Sequence, residues 1–564
     1  SLLRKMNSKW GNIFARKVAG ISDVKDCTSG YRAISAKLLK KIDLKKLRVK
    51  GYAFQISLLA EAINKDAKVE EVPINFIDRV HGQSKISYKD ITEFVLYCFQ
   101  LRFSGLKDFS ILFLNFFISF LLGILSFYVI VKGLLTVINI LLFFFMILSL
   151  LLFAQGLMNV YWMLYIWEDP RRMRFSKSPR KYNKSHYSFT ALVPARHEEQ
   201  VIADTIKAIA NITYPESKKE VIIIARTDDI KTILEAQTAI KKIGKSNIRL
   251  VTFNDYPINK PHALNIGLSV AKNQVIVIFD AEDEPNRNIY QIANTTLIQR
   301  HADVLQSGVQ LIDYRSSWFS ALNVLEYFFW FKSILPLFAN NGFIPLGGNT
   351  VFFKKSWLAR VKGWDELCLT EDAEIGLRLS QKGAIIKVIY DERHTTREET
   401  PHSIASFIQQ RTRWKQGFLQ ILFKGEWLKL PTAKQRILAG YVFMFPLIEL
   451  AIALFIPFSL VMMFQSKLPI FLAMLSILPF YIVILQLAIA VMGLYEFVKR
   501  YHFKAPLYLP LLVLITFLPY VGLLIISVVR AIARLVFSQN SWEKTLHNNQ
   551  HRKPAKPQGT YAVQ

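Results

Sequence analysis

Carboxylates in this chain collect where apolar runs stop. The run Val275-Ile-Val-Ile-Phe279 ends in Asp280-Ala281-Glu282-Asp283. In an extended backbone alternate residues share a side, which puts Asp280 and Glu282 together. Two such carboxylates, with Asp283 next door, suit Mg²⁺ or Mn²⁺ held against a diphosphate, because hard cations take oxygen ligands and keep positions open for phosphate. A second run, Val221-Ile-Ile-Ile-Ala225, leads into Arg226-Thr-Asp228-Asp229, suited to hydrogen bonding a base or ribose. Leu192-Val-Pro194-Ala-Arg196-His-Glu198 closes a third in the same way, and Lys260-Pro-His-Ala-Leu-Asn265 adds a cation and an amide. Taken singly, each also reads as an ordinary solvated loop.

Further along, Pro345-Leu-Gly347-Gly348-Asn349 offers an amide-rich turn, and Gly363-Trp364-Asp365 precedes Thr370-Glu371-Asp372. A partly buried Asp372 suits a general base that takes a proton from an acceptor hydroxyl. The same residues also read as a helix cap with acidic residues in its first turn. Gln409-Gln410-Arg411-Thr412-Arg413-Trp414 falls on a predicted helix whose apolar stripe includes Ile404, Phe407, Ile408, Phe418 and Ile421. Gln410, Arg413 and Trp414 share a face at i, i+3 and i+4. A guanidinium can neutralise a pyrophosphate and an indole can stack on a sugar ring, although a basic amphipathic helix is also a common membrane anchor.

The elements that must carry these residues are of two kinds. From about residue 181 to 430 strand-like runs alternate with helical patterns, which predicts an α/β domain with a mostly parallel sheet and ligands at the carboxyl ends of its strands. Its last helix, 403–428, is expected in the membrane interface. Around it lie five stretches long enough to cross a bilayer: 109–131, 133–167, 437–465 (interrupted by Glu449), 468–495 and 505–529. The resulting blocks are 106–168 with two spans, 436–537 with about three spanning or interfacial helices, and a basic tail, 538–564. Pro510 and Pro519 mark the last stretch as the one expected to lie in the interface or re-enter.

Over 564 residues, 52% hydrophobic content and a net charge of +29 agree with apolar spans edged by Lys and Arg, and exclude disorder or a small disulfide-stapled fold. Basic clusters at 171–184, 424–436 and 499–504 place the globular regions on the cytoplasmic side of an inner or plasma membrane. No zinc finger, RNA-binding sheet or helix-turn-helix pattern supports nucleic acid as a partner. Cys27, Cys98 and Cys368 lack metal or disulfide spacing.

The ordered set of Asp228/Asp229, Asp280-x-Glu282, Thr370-Glu-Asp372 and Gln410-Arg-x-Arg-Trp414, flanked by spans, resembles the membrane-embedded family 2 glycosyltransferases of the cellulose synthase and hyaluronan synthase type. The resemblance implies a Rossmann-like GT-A fold, a nucleotide-sugar donor, usually a UDP-sugar, and inversion at the anomeric carbon. It makes Asp372 the base. Pro194, Glu198, Asp228, Asp229, Lys260, Asn265, Asp280, Arg411 and Arg413 would serve the donor, and Gly348, Glu371, Gln410 and Trp414 a glycan or lipid-linked acceptor. Asp280, Glu282 and Asp283 would serve the metal. The family's metal motif is usually Asp-x-Asp, and this chain has Glu282 in the second position.

Residues 1–105 carry another pattern, Asp26-Cys-Thr-Ser29-Gly30-Tyr31-Arg32 and a strand-like Val72 to Phe76 followed by Arg79, Ser84 and Lys85. This set is similar to the carboxyl-terminal part of dolichol- or polyprenyl-phosphate mannosyltransferases, where the Arg and Ser-Lys residues lie near the lipid phosphate. It is expected to be a partial GT-A fragment, inactive alone, whose donor-binding half would precede Ser1. Rival readings are non-processive transfer to a polyprenyl phosphate and, from another class, a non-catalytic scaffold or a transporter. Glu449 is the one acid well inside an expected span, which argues against an ion pathway.

Overall fold

The computed structural model describes residues 137–465, 474–504 and 506–543, together with scattered residues between 11 and 98. The chain falls into two compact units, Ser1–Phe127 with Phe423–Leu428, and Tyr128–Leu422 with Lys429–Gln564.

Among the described residues of the larger unit nine strands are β1 (Phe189–Ala195), β2 (Lys219–Arg226), β3 (Ile248–Phe253), β4 (Val275–Ile278), β5 (Val304–Ser307), β6 (Val309–Leu311), β7 (Val351–Lys354), β8 (Ile386–Ile389) and β9 (Thr396–Glu398). Seven of them form one sheet in the order β3-β2-β1-β4-β7-β5-β8, and β6 and β9 form a parallel pair. The inner strands are Val- and Ile-rich and buried along their length, as a parallel sheet covered on both faces requires. Leu192 pairs with Ile222 on one side and Ile278 on the other, so β1, β2 and β4 end at one edge of the sheet. Strand β7 runs the opposite way and pairs Val351 with Ile278. That reversal brings Gly347-Gly348-Asn349, which precede β7, to the edge where Asp280 follows β4. The mostly parallel sheet with its flanking helices is the expected α/β GT-A layout.

The core beneath it is dominated by Phe189, Tyr290 and Phe352 with surrounding Ile and Val side chains. Phe189 and Tyr290 stack at 4.7 Å.

Among the described residues four helices are long and apolar enough to cross a membrane: Phe144–Glu168 before the sheet, and Ala433–Val461, Leu478–Arg500 and Leu509–Val536 after it. Leu151, Leu454 and Leu518 on them are exposed in the isolated chain, as lipid-facing residues are. The expected span at 109–131 lies outside the described residues. The last stretch, expected in the interface or re-entrant, is one helix, Leu509–Val536, that continues unbroken through Pro519 for 28 residues, about 42 Å at the helical rise. The freed carbonyl at a membrane proline can be met by neighbouring helices and side chains, and Thr516 bonds back to Leu512 one turn earlier.

In the smaller unit the described residues include the helix Tyr52–Asn64 and a cluster of Ala15, Val24, Cys27, Ile56, Leu59, Phe94 and Cys98. Arg32 donates to the Cys27 carbonyl at 2.7 Å and to the Gln55 carbonyl at 2.5 Å. Of the strand expected over Val72 to Phe76 only Val72 is described, and it is exposed. Arg79, Ser84 and Lys85 lie outside the described residues.

Candidate active site

The shared edge of β1, β2 and β4 divides the predicted residues into those that face an opening and those that hold the edge in shape. Asp228 is half exposed and pairs with Arg226 at 3.1 Å. Asp229 is buried, caps the helix Ile230–Ile243 and accepts the His197 backbone N–H at 2.5 Å. It thereby ties the end of β1 to the end of β2, and the backbone N–H of Glu198 donates to Thr232 in the same knot. Pro194 pairs with Ile224 inside the sheet. On this side the open polar surface belongs to Asp228 and Tyr256, whose ring stacks on the buried Arg226 guanidinium at 4.7 Å. Nη1 of Arg226 is buried without a hydrogen-bond partner.

Lys260 begins the helix Lys260–Val270, where Pro261 and the Asn259 cap fix the start. Its ammonium pairs with Asp280 and stands 4.0 Å from Glu371. Burial opposes its charge, but Asp280 and Glu371 outweigh burial and raise its pKa above that of an ordinary lysine. Lys260 therefore links the acidic turn after β4 to the acidic turn before the helix Glu371–Gln381. Asn265, expected at the donor, is otherwise engaged. It accepts from Trp364 N at 2.9 Å and donates to Trp364 O at 2.9 Å and Glu366 at 2.8 Å, which latches the Gly363-Trp364-Asp365 loop.

Asp283 is fully buried. It accepts from the Asp280 backbone at 2.8 Å and from Asn349 at 2.9 Å, and Asn349 also bonds Glu398. Burial and the charge of Glu398 raise the Asp283 carboxyl well above the usual range, and burial with Glu282 and Asp280 pushes Glu398 up to about 8. Asp283 thus braces the turn from inside, which leaves Asp280 and Glu282 as the more open pair. Among the described residues no three His, Cys, Asp or Glu side chains are grouped to hold a metal by themselves. A site of one or two carboxylates completed by substrate phosphates is what Mg²⁺ ordinarily uses, and the excess of acid over Lys260 here fits such an ion.

Thr370 starts the helix Glu371–Gln381 without capping it through its side chain. Asp372 accepts the Ala373 N–H at 2.8 Å. Gly348, at φ +90°, presses against it, and a Cβ there would stand 2.8 Å from Asp372 Oδ2. Burial and then Asp372 push Glu371 up to about 7, with Lys260 and Arg413 opposing. Burial raises Asp372 too, against the Ala373 N–H, Lys260 and Arg413.

The helix Ile404–Lys424 lies over this turn. Gly417 gives it room, since a Cβ there would collide with Thr370. Trp414, Asp372, Gly347 and Tyr327 line a cavity of about 490 Å³ that continues to Glu449, Gln486 and Phe517 on the candidate spans. Arg411, expected at the pyrophosphate, is buried against Asn323 and Glu326 and stacks on Trp414 at 4.3 Å. It lines the same cavity beside the indole. Arg413 is half-buried with Nε unpaired, and its guanidinium stacks on Trp542 at 4.5 Å. Gln410 Oε1 is likewise buried and unpaired. These two keep hydrogen-bonding capacity for a ligand. Glu449 pairs with Lys415 of the same helix.

Glu398, Glu326, Tyr256 and Trp542 belong to this constellation although no motif or periodicity marks them.

The profile of the family described as "Glycosyltransferase like family 2" matches residues 186–417. A poly-beta-1,6-N-acetyl-D-glucosamine synthase of Staphylococcus epidermidis is 26% identical over 310 residues, 53% of this chain and 71% of that protein. A polyprenol monophosphomannose synthase of Mycolicibacterium smegmatis is 44% identical over 90 residues, 16% of this chain and 34% of that protein. The solved structure of a mannosyltransferase from Pyrobaculum calidifontis with GDP-mannose and Mn²⁺ aligns with 70% of this chain and 99% of its own at 16% identity and a TM-score of 0.42. The chain spans between a third and about 70% of the length of these curated relatives, and 58% of a further one from Bacillus subtilis.

Proposed function

We propose, for a chain whose residues 186–417 form a family 2 glycosyltransferase domain, that it is an integral membrane enzyme transferring a sugar, with inversion, from a UDP-sugar or related nucleotide sugar to a growing polysaccharide or glycolipid. One observation carries this reading. Asp372 and Trp414 line the same cavity as Glu449, Gln486 and Phe517 of the spans, so an acceptor can present its hydroxyl to the base while its remainder extends among membrane helices.

In this mechanism Asp372 takes the proton of the acceptor hydroxyl as its oxygen attacks the anomeric carbon, and the bond to the nucleoside diphosphate breaks on the opposite side. Arg413 and Lys260 stabilise the negative charge gathering on the leaving diphosphate. Asp280 and Glu282 would hold Mg²⁺ or Mn²⁺, which supplies further charge neutralisation there when bound. Trp414, supported by Arg411, offers the acceptor ring a flat face. The basic ends of the spans support a cytoplasmic catalytic side at the inner or plasma membrane.

The test is a donor screen with the full chain in lipid, reading diphosphate release from UDP- and GDP-sugars with Mn²⁺ or Mg²⁺. Turnover with no donor would overturn the enzyme reading and leave the scaffold. A second reading, transfer of a single sugar to a polyprenyl phosphate, is supported by the mycobacterial match and the Arg79 and Ser84-Lys85 motif. Product length separates the two, since a polymer excludes single transfer.

The acid side of the pH profile gives another expectation. The base works ionised, and Asp372 shares a buried site with Glu371, which is pushed up to about 7. Burial raises Asp372 as well, so as pH falls the pair takes up protons and kcat falls at a pH above that near 4 at which an isolated Asp titrates. Glu371→Gln removes the neighbouring negative charge, lowers the Asp372 pKa and moves the acid limb to lower pH. An unmoved limb in kcat against pH would assign it elsewhere.

A further inference from the structure

A second cavity, of about 1710 Å³, shares no lining residue with the one at Asp372. It is walled by the short helix Pro170–Ser176 that follows the first candidate span, by the loop after β8 and by the last turn of Leu478–Arg500. These elements set it at the basic ends of two candidate spans, where headgroups would lie.

Its carboxylates are already neutralised. Asp391 pairs with Arg393 at 2.8 Å, and Glu392 with Lys177 and with buried Lys332 at 2.9 Å. Glu496 pairs with Lys332 at 2.6 Å and Arg500 at 3.6 Å. Arg174, Arg180 and Lys499 of the same wall have no carboxylate within ion-pair distance among the described residues. Like charges left unopposed around one cavity repel each other and favour a bound anion. The wall also has an apolar part, Met173, Tyr495 and Phe503, and the adjacent Phe175 is 68% exposed. A free phosphate would leave that part uncovered, whereas a lipid covers both.

We propose that this cavity seats the phosphate headgroup of an anionic lipid, with its acyl chains along the spans Phe144–Glu168 and Leu478–Arg500. The inference rests on those helices spanning a membrane and not on the transfer reaction.

Native mass spectrometry of the full chain, offered an equal mixture of phosphatidylglycerol and phosphatidylcholine, tests it. Phosphatidylglycerol is expected to be retained preferentially. Arg174→Gln, Arg180→Gln and Lys499→Gln should each weaken its retention about fivefold, the general worth of one basic residue at an anionic surface. Arg174→Lys, which keeps the charge, should restore it. Lys241→Gln with Lys242→Gln, exposed on the helix Ile230–Ile243, is the control and should change nothing. Equal retention of phosphatidylcholine, equal loss in the control, or full displacement of the lipid by inorganic phosphate would each overturn the proposal, the last by making the site one for a soluble anion.

Discussion

Replacing Asp372 by Asn is expected to lower kcat by about 10²–10⁴-fold, the usual contribution of a positioned general base, while donor affinity stays unchanged. The substitution is close to a pure test of proton transfer. Asn keeps a side-chain oxygen able to accept the Ala373 N–H, so the start of the helix Glu371–Gln381 survives. It also keeps the volume that Gly348 leaves for the carboxylate. What it lacks is a site for the acceptor proton. The donor contacts proposed at Asp228, Lys260 and Asp280 lie on other elements and are untouched. Single-turnover diphosphate release at saturating donor and acceptor measures the effect, and titration with the nucleoside diphosphate measures affinity. A variant with near-normal turnover would remove Asp372 from the role of base.

Much of this arrangement is legible in the sequence because it depends on short-range order. A β-branched run that stops at an acid places that acid at a strand end, as at Asp228 and Asp280, and the acids after Thr370 mark a helix start at Asp372. Spans are legible for a similar reason, since hydrocarbon forces a helix on any long apolar stretch. What stays hidden is which side of a loop turns inward. Asp228 and Asp229 are adjacent, yet one is open and the other caps a helix and ties two strands together. Asp283 looks like a third metal ligand until Asn349 and Glu398, far away in sequence, close around it. Arg411 and Arg413 both read as phosphate contacts, but Glu326 on a separate helix takes Arg411 away. Asn265 is in the same position, consumed by the backbone of Trp364. In each case the deciding partner comes from another element, and no local pattern encodes it.

Gly348→Ala is expected to cost about 10²-fold in kcat, with donor binding retained, for two separable reasons. The first is backbone strain. Gly348 has φ +90°, outside the regions an L-residue occupies at ease, and forcing such a residue there costs on the order of 1–3 kcal/mol. The turn relieves that strain by shifting, and it is anchored on both sides by Gly347 N–H to Gln306 at 2.8 Å and by Asn349 to Asp283. The second is contact. The new methyl would stand 2.8 Å from Asp372 Oδ2, inside van der Waals distance, so the carboxylate must rotate or the turn must retreat. Either response moves the base relative to the acceptor, and a displacement of about 1 Å at a reacting group is enough for a 10²-fold loss. Strain alone would lower thermal stability and leave the rate of the folded fraction intact. Displacement of the base lowers the rate per folded molecule. Measuring kcat against active-site concentration, together with the unfolding midpoint, distinguishes the two. Wild-type kcat per folded molecule would show that Gly348 serves the turn and not the base.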